Sequence, residues 1–390
     1  ADVELAGVLV RDPKSKRDTV IPSQLFTSDA ETLILGSDIV IELLGGIEPA
    51  KTYVRMALES GADVVTANKA LIAAHGPELF DLAEQLGAQL YFEAAVGGAI
   101  PIIRPLRESL AGDKVNRVMG IVNGTTNFIL DRMESTGADF EEALAEATAL
   151  GYAEADPTAD IEGYDAASKA AILASLAFHS EVPVEKVYRE GITSITAMTI
   201  ETARQAGYTV KLLAICERVG EGLVARVHPT LIPLTHPLAA VRGAYNAVFV
   251  EAESAGQLMF YGAGAGGTQT ASAVLGDLVS AAKRHLAGGP GLSDSVHADL
   301  EALPVQEIET RFQITLQVQD LPGVLASIAS IFATHDVSVE TVSQTPAEKD
   351  ALLTVMTHKA SEADLEQVVA SLRKNEAVRS VTSVIRVEGM

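Results

Sequence analysis

At the start of the chain, short apolar runs alternate with stretches of helical length, and this constrains the fold more than any other feature. The runs 3–10, 38–44, 63–66 and 89–92 are rich in Val, Ile and Leu and short enough to be buried strands. Helices are expected between them, over 49–60 behind Pro49 and over 77–86 behind Pro77. Strands separated by helices of this length pair in parallel, because a parallel pair needs a long crossover. The predicted class is therefore α/β, a Rossmann-type doubly wound parallel sheet. Ligands of such sheets gather beyond the carboxyl ends of the strands. Here those ends carry Arg11, Gly45-Gly46, the run 66–69 (Thr-Ala-Asn-Lys) and the run 93–98 (Glu-Ala-Ala-Val-Gly-Gly).

The pattern predicts a dinucleotide-binding domain over 1–100. Beyond Pro101 the character changes to α+β. Strands are expected at 116–122, 209–219, 223–227 and 247–251, and helices at 125–134, 140–150 and 166–178, forming a substrate-binding and dimerisation domain over 101–267. A glycine-rich turn, 262–267, leads into a helix over 268–287 that is expected to return to the first domain. A linker over 288–310 precedes a βαββαβ pattern over 311–390, the signature of a ferredoxin-like module. Acidic residues number 52 against 29 basic, a formal net charge of −23, so the global field repels nucleic acid and anionic membranes alike. No apolar run approaches the length of a membrane span. A single cysteine, Cys216, excludes an intramolecular disulfide and suits a reducing, cytoplasmic setting.

The segment 151–169 carries the most chemistry. It sets Glu154, Asp156, Asp160, Glu162 and Asp165 ahead of Lys169, and the residues after Lys169 are apolar almost all round a helix. Asp165 and Lys169 lie at i,i+4 on one face. As an exposed pair they would contribute only ~0.3–0.5 kcal/mol. At the mouth of a buried helix, the lysine is instead a candidate acid/base. A divalent metal is the competing reading of clustered acids. A lysine inside the cluster and the absence of His make it the lesser one. Arg11, with Lys14, Lys16 and Arg17 nearby, can pair a 2′-phosphate and so favour NADP over NAD, or form a solvated basic turn. Lys69 matters by its position after a strand. The glycines after Glu93 allow carbonyls to face a hard cation, although a tight turn explains them as well. The run 123–127 (Asn-Gly-Thr-Thr-Asn) can be an anion site at a helix start or an ordinary N-cap. Cys216 reads as core, and His75, His179, His228 and His236 show no ligand spacing.

Taken in order, 67–69, 93–100, 123–128, 151–169 and 262–277 resemble homoserine dehydrogenase, and the C-terminal βαββαβ resembles the ACT domain of its long bacterial form. The resemblance covers nearly the whole chain, and the family's Gly-rich fingerprint and first strand are expected upstream of Ala1. It implies reversible reduction of L-aspartate 4-semialdehyde to L-homoserine with NADP (or NAD), on the route to threonine, methionine and isoleucine. Lys169 would be the general acid/base at the carbonyl oxygen and Lys69 a second catalytic lysine, with alkaline pH favouring the oxidative direction. Glu154 and Asp165, supported by Asp160, would hold the substrate amino group. Asn123, Gly124 and Thr125 would lie near substrate and nicotinamide, with Gly267 and the turn before it on the cofactor side. Glu93, Val96, Gly98 and Ile100 would bind a monovalent cation, sodium, largely through main-chain oxygens. An amino-acid effector, threonine, would bind at Asp320, Gly323, Val324 and Leu325, in a homo-oligomer that is a dimer or a tetramer. The rival reading is a non-catalytic amino-acid sensor on a dehydrogenase scaffold.

Overall fold

The computed structural model describes residues 3–288, 297–347 and 350–389, so 289–296 of the expected linker lie outside the described residues. The chain divides into two compact units. One comprises Ala1–Lys114, Ala171–Val184 and Gly262–Asp299, the other Val115–Ala170, Glu185–Tyr261 and Leu300–Met390.

In the first unit the strands Ile39–Glu42, Asp63–Thr66 and Leu90–Tyr91 form a parallel sheet in that order, as the alternation predicts. The helices Ala50–Glu59 and Lys69–Leu86 connect them. The second of these begins well before Pro77, because Asn68 caps it and accepts a hydrogen bond from the Leu71 N–H. The long helix Gly267–Ala287 places Val274 and Ala281 against Val65, Tyr91 and Ala94, closing the apolar face of the sheet. Of the run 3–10, only Val8–Leu9 pairs, in parallel with Phe26–Thr27. Val3 and Leu5 are exposed, so the run lacks the burial on both faces that a central strand needs.

The second unit is built on a 12-stranded sheet. Its main path runs through Gly256–Ala263, Tyr245–Ala252, Val115–Ile121, Tyr208–Val219, Gly222–Pro233, Val378–Val387, Glu309–Gln319, Asp350–Thr357 and Val339–Ala347. The short strand Tyr188–Arg189 pairs beside Gly222–Pro233. Neither it nor Gly256–Ala263 is evident from the sequence. Met119, Ile121, Leu213, Ile215 and Ile232 form one core on this sheet. In the C-terminal part, Phe312, Ile314, Leu316 and Val318 alternate inward and meet Ile328 and Phe332 of one helix and Leu365, Val368 and Leu372 of another. The last strand also pairs with Gly222–Pro233, through Arg386 opposite Thr230 and Val387 opposite Leu231, so the sheet continues across the C-terminal module. No helix among the described residues is long and apolar enough to cross a membrane.

Candidate active site

Val122 follows the strand Val115–Ile121, and Asn123 then caps the helix Gly124–Thr136 by accepting from the Thr126 N–H at 2.9 Å. That leaves the Asn123 amide nitrogen free to turn toward the acidic segment. It donates to Asp160 Oδ1 at 2.7 Å and to Asp165 Oδ2 at 2.9 Å. Asp165 lies in the first turn of the helix Tyr164–Phe178, with Lys169 one turn later. Lys169 Nζ donates to Asp165 Oδ2 at 2.7 Å and to the Val122 carbonyl at 2.6 Å. The two side chains are only 11% and 6% exposed, lysine first, so this is a buried pair and not a surface one. An ammonium has three N–H donors. Among the described residues two are used, by Asp165 and the Val122 carbonyl, so a third could be offered to an oxygen of a bound molecule.

Gly124 is fixed by crowding, since a Cβ there would meet the Ala244 carbonyl oxygen at 2.7 Å. Thr125 donates to the Tyr152 carbonyl at 2.7 Å, and Phe128 packs on the Tyr152 ring, tying the helix start to the acidic loop. The structure thus brings Asn123, Asp160, Asp165 and Lys169 together. Glu154 is not among them. It is exposed on the same loop, with no hydrogen bond or ion pair to the cluster. Asp156 and Glu162 have other work. Asp156 accepts from the Thr158 N–H at 3.1 Å, and the Thr158 hydroxyl together with this N–H holds its carboxyl below the usual range. Glu162 accepts from the Thr193 hydroxyl at 3.2 Å.

A layer behind the site escapes sequence reasoning. Lys211 is wholly buried and donates to the Val241 carbonyl at 2.7 Å and to Asn127 Oδ1 at 3.2 Å. Asn127 in turn donates to the carbonyls of Gly243 and Tyr245. Together they hold the loop 241–245, which presses Ala244 against Gly124. Burial lowers Lys211 to about 8. The second asparagine of the run 123–127 was the available signal. Cys216 is core as expected, and burial pushes its thiol up to about 12.

In the first unit a polar network gathers at the strand ends. Thr66 donates to Glu42 at 2.6 Å, and Glu42 accepts from the Leu44 N–H. The Asn68 amide reaches the Gly46 carbonyl at 2.7 Å. Lys69 heads its helix and is exposed, and Arg11 is exposed just after Val8–Leu9. Arg17 by contrast is spent on the carbonyls of Asp12 and Ser15 and lies over the Phe26 ring. Glu93 is buried, and its carboxylate accepts from the N–H groups of Ile102, Ile103 and Arg104 at 2.6, 2.8 and 3.1 Å. Burial nevertheless raises its pKa, as it does that of Asp277, which receives the Glu93 N–H and the Arg104 guanidinium. With the Glu93 side chain so occupied, the oxygens this turn could offer to a ligand are main-chain carbonyls. The turn that bears them is tight, because Gly98 has φ +61° and packs directly on Gly264. Gly267 opens the following helix, behind Gly266 at φ +126°.

In the C-terminal module the turn 320–325 lines a cavity of about 310 Å³. Gly323, at φ +91°, is the N-cap of the helix Val324–Thr334, and Gln344 donates to Asp320.

Known proteins resemble this chain along nearly its whole length. The family model described as homoserine dehydrogenase matches residues 101–279, that of the homoserine dehydrogenase NAD-binding domain matches 1–93, and that of the ACT domain matches 312–377. The homoserine dehydrogenase of Corynebacterium glutamicum is 55% identical over 99% of this chain and 88% of its own length. The crystal structure of a homoserine dehydrogenase from Thiobacillus denitrificans superposes with a TM-score of 0.89 at 41% identity, covering 93% of this chain and 85% of that one. A hyperthermophilic archaeal homoserine dehydrogenase in complex with NADPH gives a TM-score of 0.59 at 32% identity, over 69% of this chain and 78% of that one. The chain belongs to the homoserine dehydrogenase family, whose members are oxidoreductases with a nicotinamide-binding domain, and it carries that family's ACT module.

Proposed function

We propose that the chain interconverts L-aspartate 4-semialdehyde and L-homoserine with NADP, and that Lys169 is the general acid/base. The observation that carries this is the buried Lys169 ammonium, oriented by Asp165 and the Val122 carbonyl with one N–H to spare. A bound nicotinamide supplies or accepts the hydride at the substrate carbon. As the aldehyde is reduced, negative charge grows on its oxygen, and a nearby ammonium stabilises that charge and donates the proton. In the reverse direction the same lysine takes the hydroxyl proton. Asp165 and Asp160, with Glu154 from the exposed loop, are read as the anionic partners of the substrate ammonium. Asn123, Gly124 and Thr125 supply the polar wall beside it. Lys69 is read as the second catalytic lysine, and Arg11 as the partner of a 2′-phosphate.

The domain reading follows the same lines: dinucleotide binding over 1–100 with the helix after Gly267, substrate binding over 101–267, and an effector module over 311–390. The carbonyls of Val96, Gly98 and Ile100, with Glu93 as the buried brace of that turn, suit a monovalent cation that would hold the turn in shape. In the module, the helix N-terminus after Gly323 suits a carboxylate and Asp320 an ammonium, the two ends of an amino acid. Threonine is the proposed effector, and paired modules in a homo-oligomer the proposed setting.

The test is loss of NADPH on adding L-aspartate 4-semialdehyde to the intact enzyme. Near-normal turnover by Lys169→Ala would sink the mechanism. Arg11→Ala should weaken NADPH more than NADH, and equal losses would refute its 2′-phosphate role.

A further inference from the structure

The turn that delivers Asp165 and Lys169 to the site is held from outside as well as by its own backbone, where the Gly163 N–H donates to the Asp160 carbonyl at 2.9 Å. Residues 161–163, with Gly163 at φ +79°, lead into the helix that opens at Tyr164. They and Tyr164 are also gripped by residues 188–193. Arg189 donates from its guanidinium to the Glu162 carbonyl and stacks that same group over the Tyr164 ring, 3.5 Å from its centroid. Its Cγ, the Glu190 carbonyl oxygen and Val227 Cγ1 all lie 3.4 Å from where a Cβ on Gly163 would stand. The Ile192 N–H donates to the Ile161 carbonyl at 2.8 Å. The grip ends one residue before Asp165.

The strand that carries Arg189 is itself anchored twice. Tyr188 and Arg189 pair in parallel with Arg226 and Val227, and the Glu190 N–H continues the ladder to the Val227 carbonyl at 2.8 Å. Side chains alternate along a strand, so Arg189 faces one way and Tyr188 and Glu190 the other. On that other side stands Arg386 of the last strand. It donates to Glu190 Oε1 at 2.7 Å and to the Tyr188 hydroxyl at 3.2 Å, while Glu362 of the C-terminal module, fully buried, accepts from its Nε at 3.0 Å.

From these contacts we infer that residues 188–190 form a strap, in which Arg189 is a positioning residue for the Asp165–Lys169 pair and the Glu190–Arg386 ion pair fixes the strap to the C-terminal module. The contacts of Arg189 are with Glu162 and Tyr164, so it acts through the turn. The inference rests on the reading of Lys169 as the acid/base.

The experiment compares Arg189→Ala, Arg189→Lys, Glu190→Gln and Lys169→Ala in the intact enzyme, with L-homoserine and NADP⁺ as substrates. Arg189→Ala should lower kcat by about ten- to a hundred-fold, the effect of a small misplacement of the reacting groups, while KM for NADP⁺ stays within about two-fold. Arg189→Lys, which can still donate to the Glu162 carbonyl, should recover part of the loss. Glu190→Gln, which keeps the shape and removes the charge, should shift kcat the same way by a smaller factor. The inference is overturned if Arg189→Ala keeps its kcat, if Lys recovers nothing, or if KM for NADP⁺ and melting temperature collapse along with kcat. An active Lys169→Ala refutes the acid/base reading itself. An inactive Lys169→Ala beside a normal Arg189→Ala refutes only the strap.

Discussion

Replacing Asp165 by Asn takes one charge out of the site and leaves its shape intact. Asp165 Oδ2 is 2.7 Å from Lys169 Nζ and 2.9 Å from Asn123 Nδ2, and both charged side chains are nearly closed to water. Two unit charges at that distance attract by about 6 kcal/mol at an effective dielectric of about 20. Removing one partner of a buried pair typically costs about 3–5 kcal/mol, because the remaining charge stays desolvated. The lower end applies here. The Val122 carbonyl still accepts from Lys169 at 2.6 Å, and the new carboxamide offers one acceptor. A loss of about 3 kcal/mol should lower the melting temperature by about 6–12 °C for a unit of about 200 residues. A double-mutant cycle with Lys169→Met isolates the pair. With both charges gone, the double variant should be more stable than the summed single losses predict, by about 2 kcal/mol. Denaturant unfolding monitored by circular dichroism measures all four corners. Additivity within about 0.5 kcal/mol would show that the two groups are not coupled, and the account of how Lys169 is oriented would fall with it.

Gly98→Ala should destabilise the first unit by at least about 2 kcal/mol, since φ is +61° and the new Cβ would sit 2.5 Å from the Gly264 carbonyl oxygen; a midpoint of denaturation shifted by less than about 0.5 kcal/mol would contradict this. Lys211 is depressed by burial from 10.5 to about 8, so between those values the unfolded chain holds a proton that the folded one has released. Stability relative to Lys211→Met should therefore rise from pH 8 to pH 10, by at most about 1.4 kcal/mol per unit, and pH-dependent unfolding curves that stay parallel would refute it. Burial pushes Glu388 up, but the Arg117 and Arg226 guanidinia outweigh it and hold the carboxyl below 4.5. Its stabilising contribution is present above 4.5 and lost as pH falls through the lowered value, and Glu388→Gln should abolish that acid step and cost about 3–5 kcal/mol at neutral pH in calorimetry.

What the sequence discloses depends on how far apart the partners lie along it. The parallel sheet of the first unit and the βαββαβ module are local patterns. Each strand and helix announces itself by periodicity within a dozen or so residues, and the order of elements then restricts the topology. The Asp165–Lys169 pair is legible for the same reason, being one helical turn. Asn123 as its third member is only half legible. Its N-cap role follows from the Gly-Thr-Thr after it, whereas its reach to Asp160 and Asp165 spans 37 and 42 residues. The rest of the site depends on separations no window covers. Arg189 meets Glu162 across 27 residues, Lys211 meets Asn127 across 84, and Arg386 meets Glu190 across 196. Glu388 joins Arg117 across 271. Taken singly, these are charged or polar residues, and each could as well have faced water. Arg386 and Glu388 are enclosed because the last strand lies beside Gly222–Pro233, with Arg386 opposite Thr230. An unpaired charge there would be prohibitive, so Glu190, Glu362, Arg117 and Arg226 must answer them. The placement of that one strand generates the whole ionic layer, and with it the support behind the strap that steadies Lys169.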